Sequence, residues 1–210
     1  MNHLIICGLG AAGSTLLMNL FYDIPEVKKY GIDYDLVEPR NYISGTQAYQ
    51  KIHVGKFKTT AMAFIAKSLD KDFIPLNYEI KSEEDLEQII QKIVDKDSEA
   101  NILIVDAFDN VQSRNITKKF FLKSRYKKNM SGLIHLGFSP GMTGEIMWDE
   151  NWYEMTPNKN LNEFDICTTV GAKSFINFLT SIASMVIQEF FNSQKKLNFY
   201  CDKYFKLRKI

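Results

Sequence analysis

Residues 1–15 read MNHLIICGLGAAGST. His3 to Cys7 is a short apolar run of strand length. Gly8, Gly10 and Gly13 follow it in the spacing G-x-G-x-x-G, and a helix is expected over 13–21. In such a turn the first glycine permits the reversal off the strand and the second lets a phosphate approach bare backbone. The third lets the helix pack close to the sheet, and the free N–H groups and helix dipole then favour an anion. Strand, glycine turn and helix in this order make one β-α unit of a parallel, nucleotide-binding sheet. The motif by itself does not separate NAD from ATP, and such turns also occur for packing alone.

Working outward, YDLVE (34–38) reads as the second strand, with Glu38 at its end, 25 residues beyond Gly13, where a carboxylate would accept ribose hydroxyls. Residues 40–55 are polar and read as a functional loop. TTAMAFIAKSL (59–69) has helical period, and FIPLNYEI (73–80) reads as a strand whose Pro75 points to an edge. Ser82 caps a helix running to about Val94, with acidic residues in its first turn. NILIVDAFDN (101–110) is a central strand ending in acid, followed by a helix over 111–124. GLIHLGF (132–138) and GEIMWD (144–149) are strands, 149–166 shows no clear element, Lys173–Phe191 is a long apolar helix, and YFKLRKI closes the chain as an edge strand. The alternation predicts an α/β, Rossmann-like fold: a mostly parallel sheet with helices on both faces and antiparallel strands toward the C-terminus, in one domain over 1–210.

Composition narrows the function. The 210 residues are 45% apolar and carry a net charge of +1, which supports a full core and argues against nucleic acid as partner. Cys7, Cys167 and Cys201 are odd in number and form no C-x-x-C pair, which points to a reducing, cytoplasmic setting. The apolar start is too short for a signal peptide, and no membrane span is expected from apolar runs of roughly 18 residues. His3, His53 and His135 have no metal-ligand spacing, and His135, inside a strand, reads as a core histidine with its partners satisfied.

Two further stretches carry chemistry. HVGKFKTTAMA (53–63) delivers Lys56 and Lys58 just ahead of a helix, where a lysine would reach a polyphosphate over the glycine turn. Taken alone, the pair would be a solvated helix start. VDAFDNVQSRN (105–115) brings Asp106 and Asp109 off the carboxyl end of a central strand, the edge at which parallel sheets bind ligands. A carboxylate beside a polyphosphate there would hold Mg²⁺; the plainer reading is helix capping by Asp109 or Asn110.

The order GLGAAGS, LVEPRN, GTQAY, VGKFK and VDAFDNVQSR resembles the ThiF/MoeB/HesA superfamily, the fold of ubiquitin-activating enzymes. That family shows G-x-G-x-x-G-S, an acid ending strand two, R-Q-x-aromatic, V-G-x-x-K and D-x-x-D-N-x-x-x-R. CTTVG before a long helix is similar to the Cys-x-Thr-x-Gly stretch of ThiF-type members, so the likeness spans most of the chain.

The resemblance implies an enzyme that binds ATP and Mg²⁺ and adenylates the C-terminal carboxylate of a small ubiquitin-like protein or peptide, usually as a homodimer. By position it implies that Gly8, Gly10, Gly13 and Ser14 cradle the nucleotide and that Glu38 takes the ribose. Lys58 steadies the phosphates, Asp109 organises Mg²⁺ with Asn110 beside it, and Arg114 buttresses the loop. Cys167 falls where a thiolate would take up the adenylated substrate; the alternative is a packing residue. The chain departs from the pattern at Thr46-Gln47, where the family has R-Q, leaving Arg40 or Lys56 to supply that charge. Two other readings stay in view: an NAD(P)-binding oxidoreductase, and a catalytically impaired nucleotide-binding scaffold of the same fold.

Overall fold

The computed structural model describes residues 1–139, 141–149 and 169–210. In chain order the elements are β1 (Asn2–Cys7), α1 (Ala11–Asp23), β2 (Lys28–Asp33), α2 (Pro39–Ile43), α3 (Lys58–Ser68), β3 (Ile74–Asn77) and α4 (Glu83–Val94). They continue with β4 (Asn101–Asp106), α5 (Val111–Lys123), β5 (Met130–Ser139), β6 (Thr143–Trp148), α6 (Ala172–Ser193), β7 (Phe199–Cys201) and β8 (Leu207–Lys209). The strands form one sheet in the order β3-β2-β1-β4-β5-β6-β7-β8. Pairings from β3 across to β5 are parallel, and those from β5 to β8 are antiparallel. This is the expected mixed α/β architecture. Pro75 lies in the edge strand β3, where its missing N–H costs no ladder bond.

Alternation along the central strands feeds two cores. Leu4 and Ile6 of β1 and Leu103 and Val105 of β4 face α1, α3 and α6, meeting Leu16, Leu20, Met62, Phe175 and Leu179. Ile5, Cys7, Ile102 and Ile104 face the other way, onto Ile89, Ile90 and Ile93 of α4 and Phe120 and Phe121 of α5. The chain runs outward from β1 to β2 and β3, then returns to β4 on the other side of β1. The carboxyl ends of β1 and β4 therefore form a topological switch point, the crevice in which open α/β sheets hold ligands.

β2 is a correction. It runs Lys28–Asp33, not 34–38, so Glu38 does not end the second strand. Lys28, Lys29 and Gly31 break the apolar run that marks a buried strand. Yet Lys29 is buried, its Nζ donating to Ile24 O at 2.6 Å and Val27 O at 2.8 Å just past the end of α1. Gly31 leaves room for the Phe73 ring, which a Cβ would meet at 2.7 Å. The short strand β7 was not expected either. Contrary to the expectation that no apolar run reaches membrane-spanning length, α6 is long and apolar enough, by length and composition, to cross a membrane; half of the span is buried within the fold. Its face carrying Phe175, Leu179, Ala183, Val186 and Phe190 packs into the core, where Trp148 meets Phe190 with ring centroids 4.6 Å apart.

Candidate functional site

The glycine turn is held from three sides. Gly8 has φ +92°, and an added Cβ would stand 2.8 Å from Ala107 O. Only glycine fits there, because β4 turns away directly against it. A Cβ on Gly13 would strike Gly8 O, so this glycine sets how closely α1 approaches the turn. Gly10 differs: nothing lies within 4 Å of its would-be Cβ. Packing does not demand a glycine at that position, whereas close approach of a ligand to the backbone does. Tyr49, buried, donates its hydroxyl to Leu9 O at 2.7 Å. Ser14 is fully buried; its Oγ donates to Gly10 O at 2.7 Å and accepts from Ala48 N at 3.2 Å. Its hydroxyl thus ties the 44–50 loop to α1 rather than facing an anion.

The carboxyl end of β2 supplies two acids that motif reading missed. Asp33 is buried and its Oδ2 accepts the Leu9 N–H at 2.7 Å, while its Oδ1 accepts Asp35 N–H at 2.8 Å. Burial raises the Asp33 carboxyl above the usual carboxylate range, against the pull of Lys58 and those two N–H donors. Lys58, buried at the first position of α3, places Nζ 2.7 Å from Asp35 Oδ2 and 3.9 Å from Asp33 Oδ2. Burial works against its charge, but Asp33, Asp35 and the more distant Asp109 outweigh that and hold its pKa above the ordinary lysine value. The signal that would have found these acids is the D-x-D spacing at the end of GID (31–33).

Lys56 is exposed, and its contribution to order is its main-chain oxygen, which accepts Val37 N–H at 2.8 Å. Glu38 is about half-exposed and caps α2, its Oε2 2.6 Å from Arg40 Nε. Thr46, where the family pattern has arginine, is buried, with its Oγ1 2.8 Å from Ser44 Oγ.

On the far side of the turn, Ala107 N donates to Cys7 O at 2.8 Å and the chain passes through Phe108 to the exposed Asp109. Asn110 caps α5, its Oδ1 accepting Ser113 N–H at 2.8 Å. Arg114, one turn into α5, donates Nε to Phe108 O, so it braces the loop as expected. His135 is buried with hydrogen-bonding partners at both ring nitrogens. Cys167 lies outside the described residues.

The structure thus brings together Gly8, Gly10, Gly13, Asp33, Asp35, Lys58 and the Asp109 loop at one end of the sheet. Among the described residues no group of three or more His, Cys, Asp or Glu is placed to hold a metal ion. A single exposed carboxylate, Asp109, fits a hard cation that takes its remaining oxygens from phosphates and water. A cleft of about 680 Å³ opens elsewhere, beside α4, and is lined by Met1, Tyr30, Leu76 and Ile89, away from the glycine turn.

No protein-family profile and no curated protein matches the sequence. Solved structures do. E. coli MccB with MccA-N7isoASN superposes with a TM-score of 0.70 at 14% identity, over 99% of this chain and 64% of MccB. E. coli MccB with ATP gives 0.67 at 15%, over 99% of this chain and 63% of MccB. This chain has the MccB fold. It is the fold that the resemblance to the ThiF/MoeB/HesA superfamily implies. E. coli TcdA, a tRNA N6-threonylcarbamoyladenosine dehydratase, superposes with a TM-score of 0.57 at 14% identity, over 92% of this chain and 88% of TcdA. The chain spans less than two thirds of the length of MccB.

Proposed function

We propose that this chain is an ATP-dependent adenylating enzyme of the ThiF/MoeB/HesA type, acting on the C-terminal carboxylate of a small ubiquitin-like protein or a peptide. The observation that carries this reading is Lys58. It is buried, charged and anchored to Asp33 at the end of β2 and to Asp35 just beyond it, it lies within electrostatic reach of Asp109, and the backbone at Gly10 is uncovered. The MccB structures with ATP and with AMPCPP plus MccA support a nucleotide and a second substrate on this fold.

In the proposed reaction a carboxylate oxygen of the partner attacks the α-phosphorus of ATP. The acyl–O–P bond forms, the bond to the β-phosphate bridge breaks, and pyrophosphate leaves. The backbone at Gly10 and the start of α1 receive phosphate oxygens, Asp35 offers an acceptor to the ribose, and Lys58 balances charge that grows on the leaving group. Asp109 would hold Mg²⁺, which supplies charge neutralisation on the phosphates when bound. The chain's own work is alignment and charge placement in a prepared crevice. A homodimer in the cytoplasm is the proposed state.

An oxidoreductase explains the glycines but leaves Lys58 and the Asp109 loop without a joint task. The scaffold reading draws on the buried Thr46, which removes a family cation. Thermal unfolding separates the first pair: Mg·ATP raises the midpoint, by about 2.7 kcal/mol of stabilisation at a hundredfold excess over Kd, and NAD leaves it unchanged. ATP–pyrophosphate exchange with a small partner protein or peptide then decides between enzyme and scaffold. Protection by NAD alone overturns the proposal.

A further inference from the structure

Beneath the loop that carries Asp109 lies a polar cluster that the glycine turn and Lys58 do not use. Asp106, the last residue of β4, is fully buried, and its register partner on β5 is His135, also fully buried. His135 Nδ1 is 2.9 Å from Asp106 Oδ2. Its Nε2 is 3.0 Å from Arg114 Nη1 and 3.1 Å from Glu145 Oε1, on β6. With Nδ1–H donated to Asp106, Nε2 is the acceptor for Arg114 Nη1, and the neighbouring His135 ring and Arg114 guanidinium hold the Glu145 carboxyl below its usual value, against burial. A carboxylate, an imidazole and a guanidinium buried together are costly to desolvate, and an apolar set of similar volume often packs as well or better. Stability alone therefore does not explain the cluster.

What it grips is specific. Asp106 Oδ1 accepts the Phe108 N–H at 3.3 Å, and Arg114 Nε donates to the Phe108 C=O. The main chain of Phe108 is clamped at both ends by the two groups that His135 joins, and the next residue is Asp109. We propose that His135 is a positioning residue for the nucleotide-bound metal: by holding Asp106 and Arg114 on either side of Phe108, it fixes the place of the Asp109 carboxylate. This rests on the adenylation reading, in which Asp109 meets Mg·ATP. Partners one shell away from a metal ligand set its orientation in the same manner, and their loss costs affinity without removing a ligand.

The test uses His135→Leu and the conservative His135→Gln, whose amide still donates toward Asp106. Two readouts are taken on folded protein: hydrogen exchange of the 107–113 segment, and calorimetric affinity for Mg·ATP and for adenosine. His135→Leu is expected to speed exchange in 107–113 while leaving α1 and α6 protected. It should weaken Mg·ATP by about ten- to a hundredfold with adenosine unchanged. His135→Gln recovers much of both, and in an Asp109→Ala background His135→Leu adds no further loss. Equal losses for Mg·ATP and adenosine, additive losses with Asp109→Ala, or unchanged exchange in 107–113 would each overturn the proposal. If wild-type protein binds no Mg·ATP, the adenylation reading falls and the metal role with it, whereas the exchange pattern separately reports whether the clamp on Phe108 exists.

Discussion

Lys58 Nζ sits 2.7 Å from Asp35 Oδ2, joining the first residue of α3 to the loop that leaves β2. Asp33, two residues earlier, accepts the Leu9 N–H. The lysine is therefore tied through the end of β2 to the glycine turn, and the position of its charge is set before any ligand arrives. That is the pre-organisation electrostatic catalysis requires, because no reorganisation is left for the reacting complex.

Lys58→Ala should lower ATP–pyrophosphate exchange by about a hundredfold or more, the usual loss for a charged contact made in the transition state. Lys56→Ala should change the rate little, since its side chain is exposed and its ordering contact is main-chain. Both rates are measured on protein whose circular dichroism matches wild type. Equal losses would show that the nucleotide lies nearer Lys56.

Gly8 and Gly10 give opposite forecasts. Gly8→Ala puts a Cβ against Ala107 O in a left-handed backbone and should cost about 2–3 kcal/mol of stability by denaturant unfolding. Gly10→Ala meets open space, so stability stays within about 0.5 kcal/mol. Its Mg·ATP affinity should still fall roughly tenfold, the weight of one lost contact to a charged group. A Gly10→Ala variant with full affinity would return this turn to a packing role.

Lys29 supplies a pH signature. Burial lowers its pKa from 10.5 to about 8, with Glu26 opposing. Between those values the unfolded chain binds a proton that the folded chain does not, so this group adds stability as pH rises from about 8 toward 10.5. The difference in unfolding free energy between wild type and Lys29→Met should therefore grow across that window, by up to about 3 kcal/mol. A flat difference would mean that the ammonium stays charged against Ile24 O and Val27 O.

Much of the fold was legible because the central strands carry uninterrupted apolar runs and the helices carry caps. HLIIC and NILIVD fall within β1 and β4, and Ser82 caps α4 as read. β2 was not legible, since its buried lysine and its glycine are explained only by the α1 terminus and by Phe73. In the site, Gly8 and Gly13 followed from spacing, and the bracing by Arg114 was what the family resemblance implied. The burial of Lys58 and exposure of Lys56 did not, because two lysines two apart look alike until α3 is placed against β2. Asp33 and Asp35 were passed over for the same reason that β2 was displaced: the strand end fixes which acid meets the turn.

That displacement makes the acid for the ribose testable. An acid at the end of the second strand is the position that meets ribose hydroxyls in such sheets. β2 ends at Asp33, whose carboxylate is buried and already accepts Leu9 and Asp35 N–H groups. Asp35 is the half-exposed acid beside it, held by Lys58, whereas Glu38 caps α2 and pairs with Arg40. Asp35→Asn should therefore weaken binding of adenosine and of Mg·ATP alike, by about tenfold for a hydrogen bond to a charged acceptor. Glu38→Gln should leave both within error and lower only the stability of the short α2. Adenosine is the informative ligand, because it carries the ribose without the phosphates that Lys58 and Asp109 address. Loss of adenosine binding in Glu38→Gln with retention in Asp35→Asn would move the ribose to α2, and the nucleotide would then lie across the Glu38–Arg40 pair.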